Sequence, residues 1–184
     1  GEQMVNYGFN VYATSRSDYT ELANEIGITF LDKDTFQSLN SEQNFDIIIL
    51  TTSILSFEKV LTSYPKELWE NKLIVDVLSV KLYPQDIINK YLSNINCDIL
   101  LTHPMFGPDS FQSNKRLKMM MNNTRDVNQQ YRFWKQYFKD QGIQVLEMTA
   151  QEHDLKASKT QGVTHFLGRM LKEFGIQKTT IDTQ

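Results

Sequence analysis

A histidine able to take a proton near neutral pH, hydroxyls able to bond phosphate or ribose, and a guanidinium able to clamp an anion each follow a short apolar run in this chain. His103 opens the segment His103-Pro104-Met105-Phe106-Gly107-Pro108, directly after Leu100, Leu101 and Thr102. An imidazole is the usual acceptor of the proton that an alcohol loses when hydride leaves its carbon. Ser79, with Val80 and Lys81, follows a run that contains Asp76, and Thr51, Thr52 and Ser53 end another. Ser15, Arg16 and Ser17 end a further one, with no acid before Asp18. Two hydroxyls flanking a guanidinium match phosphate oxygens, because short O–H donors and a forked pair of N–H donors fit them. Each group also has a plainer alternative: a solvated turn at 15–17, a helix or turn cap at Ser79, an ordinary loop histidine at 103.

The apolar runs at 9–14, 45–51, 72–78 and 97–102 are short, β-branched or aromatic and bounded by polar residues, which predicts strands buried on both faces. Helical spacing falls between them at 19–25, 56–68 and 84–92, the last opening on Pro84 in a first turn. Strand, helix, strand in repetition predicts a Rossmann-type α/β fold, doubly wound around a mostly parallel sheet. Ligands of such sheets lie beyond the carboxyl ends of the strands, where all four polar segments fall. There an arginine in place of an acid favours the 2′-phosphate of NADP over the ribose hydroxyl of NAD, which stays possible. Residues 2–7 read as the tail of a helix stopped by Gly8, so the first strand and its glycine-rich turn are expected upstream, with Gly1 as that turn's last glycine.

Past His103, a strand is expected in the patch 115–121, then a polar stretch, a helix at 131–141, a strand at 143–148 and one long helix at 152–174 stopped by Gly175. Residues 1–148 are thus expected to form the dinucleotide-binding domain, and residues 149–184 the start of a helical second domain. Met119, Met120 and Met121 read as core filling. His153 and His165 lie twelve positions apart, too far for a metal pair on one helix face, and no metal is expected. His153 is expected near solvent or in a capping role.

Net charge is −3 with the signs interleaved, so no basic face is offered to nucleic acid or anionic lipid. One cysteine, Cys97, excludes an intrachain disulfide framework and a paired-thiolate zinc site. No apolar run reaches the roughly 18–20 residues that span a bilayer, and an intracellular setting, cytoplasm or plastid, is the default expectation.

The strings SRSDY, TTSIL, DVLSVK, HPMFGP, and EHD followed by THFLGR occur in order from Ser15 to Arg169. In that order and spacing they resemble the arogenate and prephenate dehydrogenases, most closely the plant-type arogenate form. The resemblance implies an NADP-linked oxidative decarboxylation in tyrosine biosynthesis: arogenate to tyrosine, or prephenate to 4-hydroxyphenylpyruvate. It implies that His103 bonds the ring hydroxyl, that Ser79 fixes that histidine, and that His165 faces the substrate. It further implies that Arg16 meets the 2′-phosphate, that Thr51, Thr52 and Ser53 line the pyrophosphate and nicotinamide side, that the helical second domain is the substrate and dimerisation domain, and that the intact enzyme is a homodimer. The sequence departs from the family after Pro108, where the usual glycine-tryptophan segment is replaced by 111–115 and no acid stands near Ser113. Two other readings stand beside this one: a β-hydroxyacid or sugar-acid dehydrogenase using Lys156 or Lys159, and a non-catalytic relative that keeps the fold.

Overall fold

The computed structural model describes residues 1–38, 45–107 and 117–175. It holds two compact units, Gly1–Asp46 and Ile47–Gln184.

In the first unit α1 (Glu2–Tyr7) ends at Gly8, whose φ of 104° only glycine adopts cheaply, with the Gly8 and Phe9 N–H groups closing back on Val5 and Met4. Strand β1 (Tyr12–Ala13) pairs in parallel with β2 (Thr29–Phe30) through the crossover helix α2 (Thr20–Glu25), and Ala23, Ile28 and Leu31 are buried in this unit. The predicted strand at 9–14 is therefore present but short. Strand β2 and the following α3 (Lys33–Ser38) escaped the periodicity because two and six residues are too few to show one. A side chain at Gly1 would put its Cβ 2.3 Å from Ile28 Cδ1, so the start of α1 packs closely on this unit's core.

The second unit is a five-stranded sheet in the order β3-β4-β5-β6-β7. Strands β3 (Ile47–Leu50), β4 (Leu73–Asp76) and β5 (Asp98–Pro104) run parallel, in the register Leu50 to Asp76 to Leu101. Every residue of β4 is buried, and all of β5 up to Pro104, as expected of strands covered on both faces. Strand β6 (Lys118–Arg125) turns back antiparallel to β5 and sets Met120 opposite His103, and β7 (Gln144–Glu147) pairs in parallel with β6. Met119, Met120 and Met121 fill the core. The polar residues 122–125 extend β6 because ladder hydrogen bonds do not require apolar side chains.

One helical expectation needed correction and a second is present as an unbroken helical run with a π-helical turn inside it. The stretch 56–68 is α4 (Phe57–Ser63) followed by a 3-10 turn (Lys66–Trp69), because Pro65 forbids the continuation and holds Tyr64 extended at ψ 150°. The helix expected at 152–174 is α7 (Ala150–Ala157), a π-helical turn (Ser158–Gly162) and α8 (Val163–Glu173). Helix α7 begins earlier because Thr149 and Glu152 form a reciprocal capping box, a pattern readable in Thr-Ala-Gln-Glu. Between them lie α5 (Leu82–Leu92) and α6 (Tyr131–Asp140), close to expectation.

Candidate active site

The carboxyl ends of β4 and β5 are stitched together by buried polar groups. Asp76 accepts from Lys81 Nζ at 2.6 Å and from the Leu78 N–H at 3.0 Å, while Thr102 Oγ1 donates to the Asp76 carbonyl at 2.6 Å. Lys81 Nζ also donates to the Thr102 carbonyl. Both charged side chains are wholly buried, so they hold the strand ends and do not face a ligand. Burial pushes the Asp76 carboxyl up and the Lys81 ammonium down, against their mutual attraction. Ser79, in the turn between them, is exposed.

One residue beyond Thr102, the His103 ring is buried, with Nδ1 2.9 Å from His153 Nε2 and the two rings edge to face. His153 in turn sets Nδ1 2.8 Å from Asp154 Oδ1. The Asp154 carboxylate also accepts the Lys81 and Leu82 N–H groups at 2.8 and 2.9 Å, capping the open start of α5. Three separate elements thus converge: the end of β5, the start of α5 and the first turns of α7. Burial is the main cause, followed by the neighbouring His153 and Lys81, that pushes the His103 ring down to about 4, with Asp154 pulling the other way. The ring is therefore neutral at pH 7. The Asp154 carboxyl lies below its usual value: burial would raise it, but the N–H of Leu82, the His153 ring and the N–H of Lys81 outweigh that.

His153 is thus not near solvent: it is buried and is the direct partner of the histidine that the sequence singled out. Its fixing role at His103 Nδ1 is the one expected of Ser79. The signal available in the sequence was Thr149-Ala150-Gln151-Glu152, which starts a helix and puts the next residue, His153, in its first turns. His165, on α8, is exposed and makes no hydrogen bond to His103 or His153. Lys156 and Lys159 are exposed as well.

Thr51, Thr52 and Ser53 follow β3. Ser53 turns the chain into α4 through its carbonyl and hydroxyl, both bonded to Ser56, whereas Thr52 Oγ1 is buried with no partner. Such a hydroxyl is a vacant donor and acceptor at the strand end where ligands of parallel sheets lie. In the first unit, Ser15, Arg16 and Ser17 are exposed in the bend after β1. Asp18 is committed to starting α2, accepting the hydroxyl of Thr20 at 2.6 Å and its N–H at 2.9 Å. Among the described residues no group of three or more His, Cys, Asp or Glu is arranged to hold a metal ion. The segment from Pro108 through Ser113 lies outside the described residues.

A mostly parallel α/β sheet, with a neutral buried histidine and the unpartnered Thr52 hydroxyl at its carboxyl edge, defines a Rossmann-type dehydrogenase domain. The chain belongs to the family described as "Prephenate dehydrogenase, nucleotide-binding domain", whose profile matches residues 1–138. It is 38% identical over 188 residues to "Arogenate dehydrogenase 2, chloroplastic" of Arabidopsis thaliana, covering 98% of this chain and 51% of that protein. The chain therefore spans about half the length of that relative. Its fold is that of the prephenate dehydrogenase from Aquifex aeolicus, at a TM-score of 0.76 and 16% identity, over 94% of this chain and 65% of the other. The same enzyme solved with hydroxyphenyl propionate and NAD+ matches at a TM-score of 0.72 and 15% identity, over 94% and 63%.

Proposed function

We propose that this chain is the nucleotide-binding part of an NADP-linked arogenate dehydrogenase, which converts arogenate to tyrosine by oxidative decarboxylation. The observation that carries the reading is His103: neutral, held at Nδ1, and bonded at Nε2 by no described residue. Such a ring accepts a proton from a substrate hydroxyl as hydride leaves the same carbon. Loss of carbon dioxide then makes the six-membered ring aromatic, so the protein has mainly to orient the reactants and take the proton. A bound nicotinamide supplies the hydride acceptor. Thr52 Oγ1 is a fitting contact for it, with Thr51 and Ser53 beside it, and the closeness of Gly1 to Ile28 agrees with the last glycine of a phosphate turn. Arg16, with Ser15 and Ser17, supports the 2′-phosphate of NADP, because Asp18 is already engaged. Ser79 remains assigned to the substrate and cofactor edge, and His165 to the substrate wall.

Arogenate is preferred because the Arabidopsis relative carries that name. Prephenate, giving 4-hydroxyphenylpyruvate, is the second reading and rests on the family description. Residues 149–184 are assigned to the start of the substrate and dimerisation domain. The exposed apolar face of α8, with Val163, Phe166, Leu167, Met170, Leu171 and Phe174, supports that assignment and a homodimer. No helix among the described residues is long and apolar enough to cross a membrane. The plastid is preferred over the cytoplasm, on the relative's name alone. Initial rates of the full-length protein with arogenate and prephenate, each with NADP and NAD, test the whole reading. The highest kcat/KM is expected for arogenate with NADP; a higher value for prephenate or for NAD would overturn that half of the assignment.

A further inference from the structure

We infer that His153 and Asp154 are positioning residues that set the tautomer of His103, holding its proton on Nδ1 so that the lone pair on Nε2 is the one offered to the substrate. The inference deepens the dehydrogenase reading and rests on it for the reaction in which that lone pair is used.

The direction of the relay follows from donor and acceptor counting. Asp154 is ionised and can only accept, and it already accepts two backbone N–H groups at the start of α5. The hydrogen on the 2.8 Å contact to His153 must therefore come from His153 Nδ1. In the proposed relay His153 is a neutral imidazole, which carries one N–H, so its Nε2 is left as an acceptor. It lies 2.9 Å from His103 Nδ1, and that contact needs one hydrogen, which only His103 can supply. His103 then carries its proton on Nδ1 and presents Nε2 bare. As Nε2 takes the substrate proton, His103 becomes an imidazolium whose Nδ1–H points at His153 and, through it, at the Asp154 carboxylate.

The anchoring of Asp154 makes the relay stiff. Its carboxylate is fixed by the Lys81 and Leu82 N–H groups, and Lys81 is fixed by Asp76 and by the carbonyl next to His103. The same strand ends therefore fix both termini of the relay. Neither His153 nor Asp154 need touch substrate for this.

In a 15N-labelled sample of the full-length protein, the His103 ring nitrogens are identified by the signals that His103→Asn removes. At pH 7 the His103 ring is expected to show a protonated Nδ1 and a bare Nε2; the opposite tautomer overturns the inference, whatever the substrate proves to be. In the full-length protein, His153→Phe removes the acceptor and should lower kcat at least about tenfold with KM changed less than about threefold. His153→Gln can donate its amide N–H to Asp154 and accept from His103, so it should keep kcat within about threefold of the parent. Thermal unfolding of each variant separates folding from tautomer, and if the Phe variant does not fold, the ring spectrum of the parent and the Gln variant decide. Equal loss in Gln and Phe, or no loss in a folded Phe variant, overturns the relay. A full-length parent inactive on both substrates, with the expected ring tautomer, would instead overturn the dehydrogenase reading and leave the relay standing.

Discussion

His103 is the residue whose loss should remove chemistry more than binding, because the proposed bond to the substrate hydroxyl would strengthen as the proton moves in the transition state. His103→Asn is expected to lower kcat roughly a hundredfold or more with little change in KM, measured by steady-state kinetics on the full-length protein. His165→Ala should act the other way and raise KM more than it lowers kcat; the reverse pattern would mean the two histidines were assigned wrongly. Arg16 belongs to a different property. A charge-assisted phosphate contact is worth about 1.5–3 kcal/mol, so Arg16→Ala should weaken NADP about tenfold or more and leave NAD nearly unchanged in a titration of both cofactors.

At the level of elements, the site depends on how the ends of β4 and β5 are joined to the starts of α5 and α7. Lys81 is the knot, since its ammonium meets the Asp76 carboxylate and the Thr102 carbonyl while its N–H meets Asp154. Removing one partner of a wholly buried pair leaves the other charged and unsatisfied. Lys81→Met should therefore cost about 3–5 kcal/mol of unfolding free energy in a denaturant titration, and Lys81→Met with Asp76→Leu should recover much of it. Recovery of stability without recovery of rate would separate the ion pair's packing role from its placement of His103. No recovery would mean that the hydrogen bonds Asp76 accepts from the Leu78 and Thr102 N–H groups matter more than the pair itself.

For the molecule as a whole, burying a histidine in its neutral form makes folding sensitive to acid. The folded His103 ring titrates at about 4 and an unperturbed one at 6.5, so below 6.5 the unfolded chain takes up a proton that the folded chain refuses. Above that value this group costs nothing. Its contribution turns against folding as pH falls from about 6.5 to 4 and is constant below, where both states are protonated. Tm measured across that window should fall, and His103→Asn should flatten the fall; an unchanged slope in the variant would show that His103 is not the group responsible.

Composition and periodicity determined the parallel α/β class, the four strand runs and the strand-end placement of Thr51, Ser79 and His103, while the family likeness came from the motif strings between Ser15 and Arg169. These are properties of residues near each other in the chain, which apolar runs and turn chemistry report directly. The pairing of His103 with His153 was decided only by tertiary structure. Fifty positions separate them, and no local pattern says that α7 will dock on the start of α5. The same holds for Lys81, which reads as one more polar residue at a strand end until the fold buries it against Asp76. Burial is set by what packs over a residue, and a partner's distance in space is independent of its distance in sequence; for that reason the proposed proton acceptor could be singled out from the chain and the groups that hold it could not.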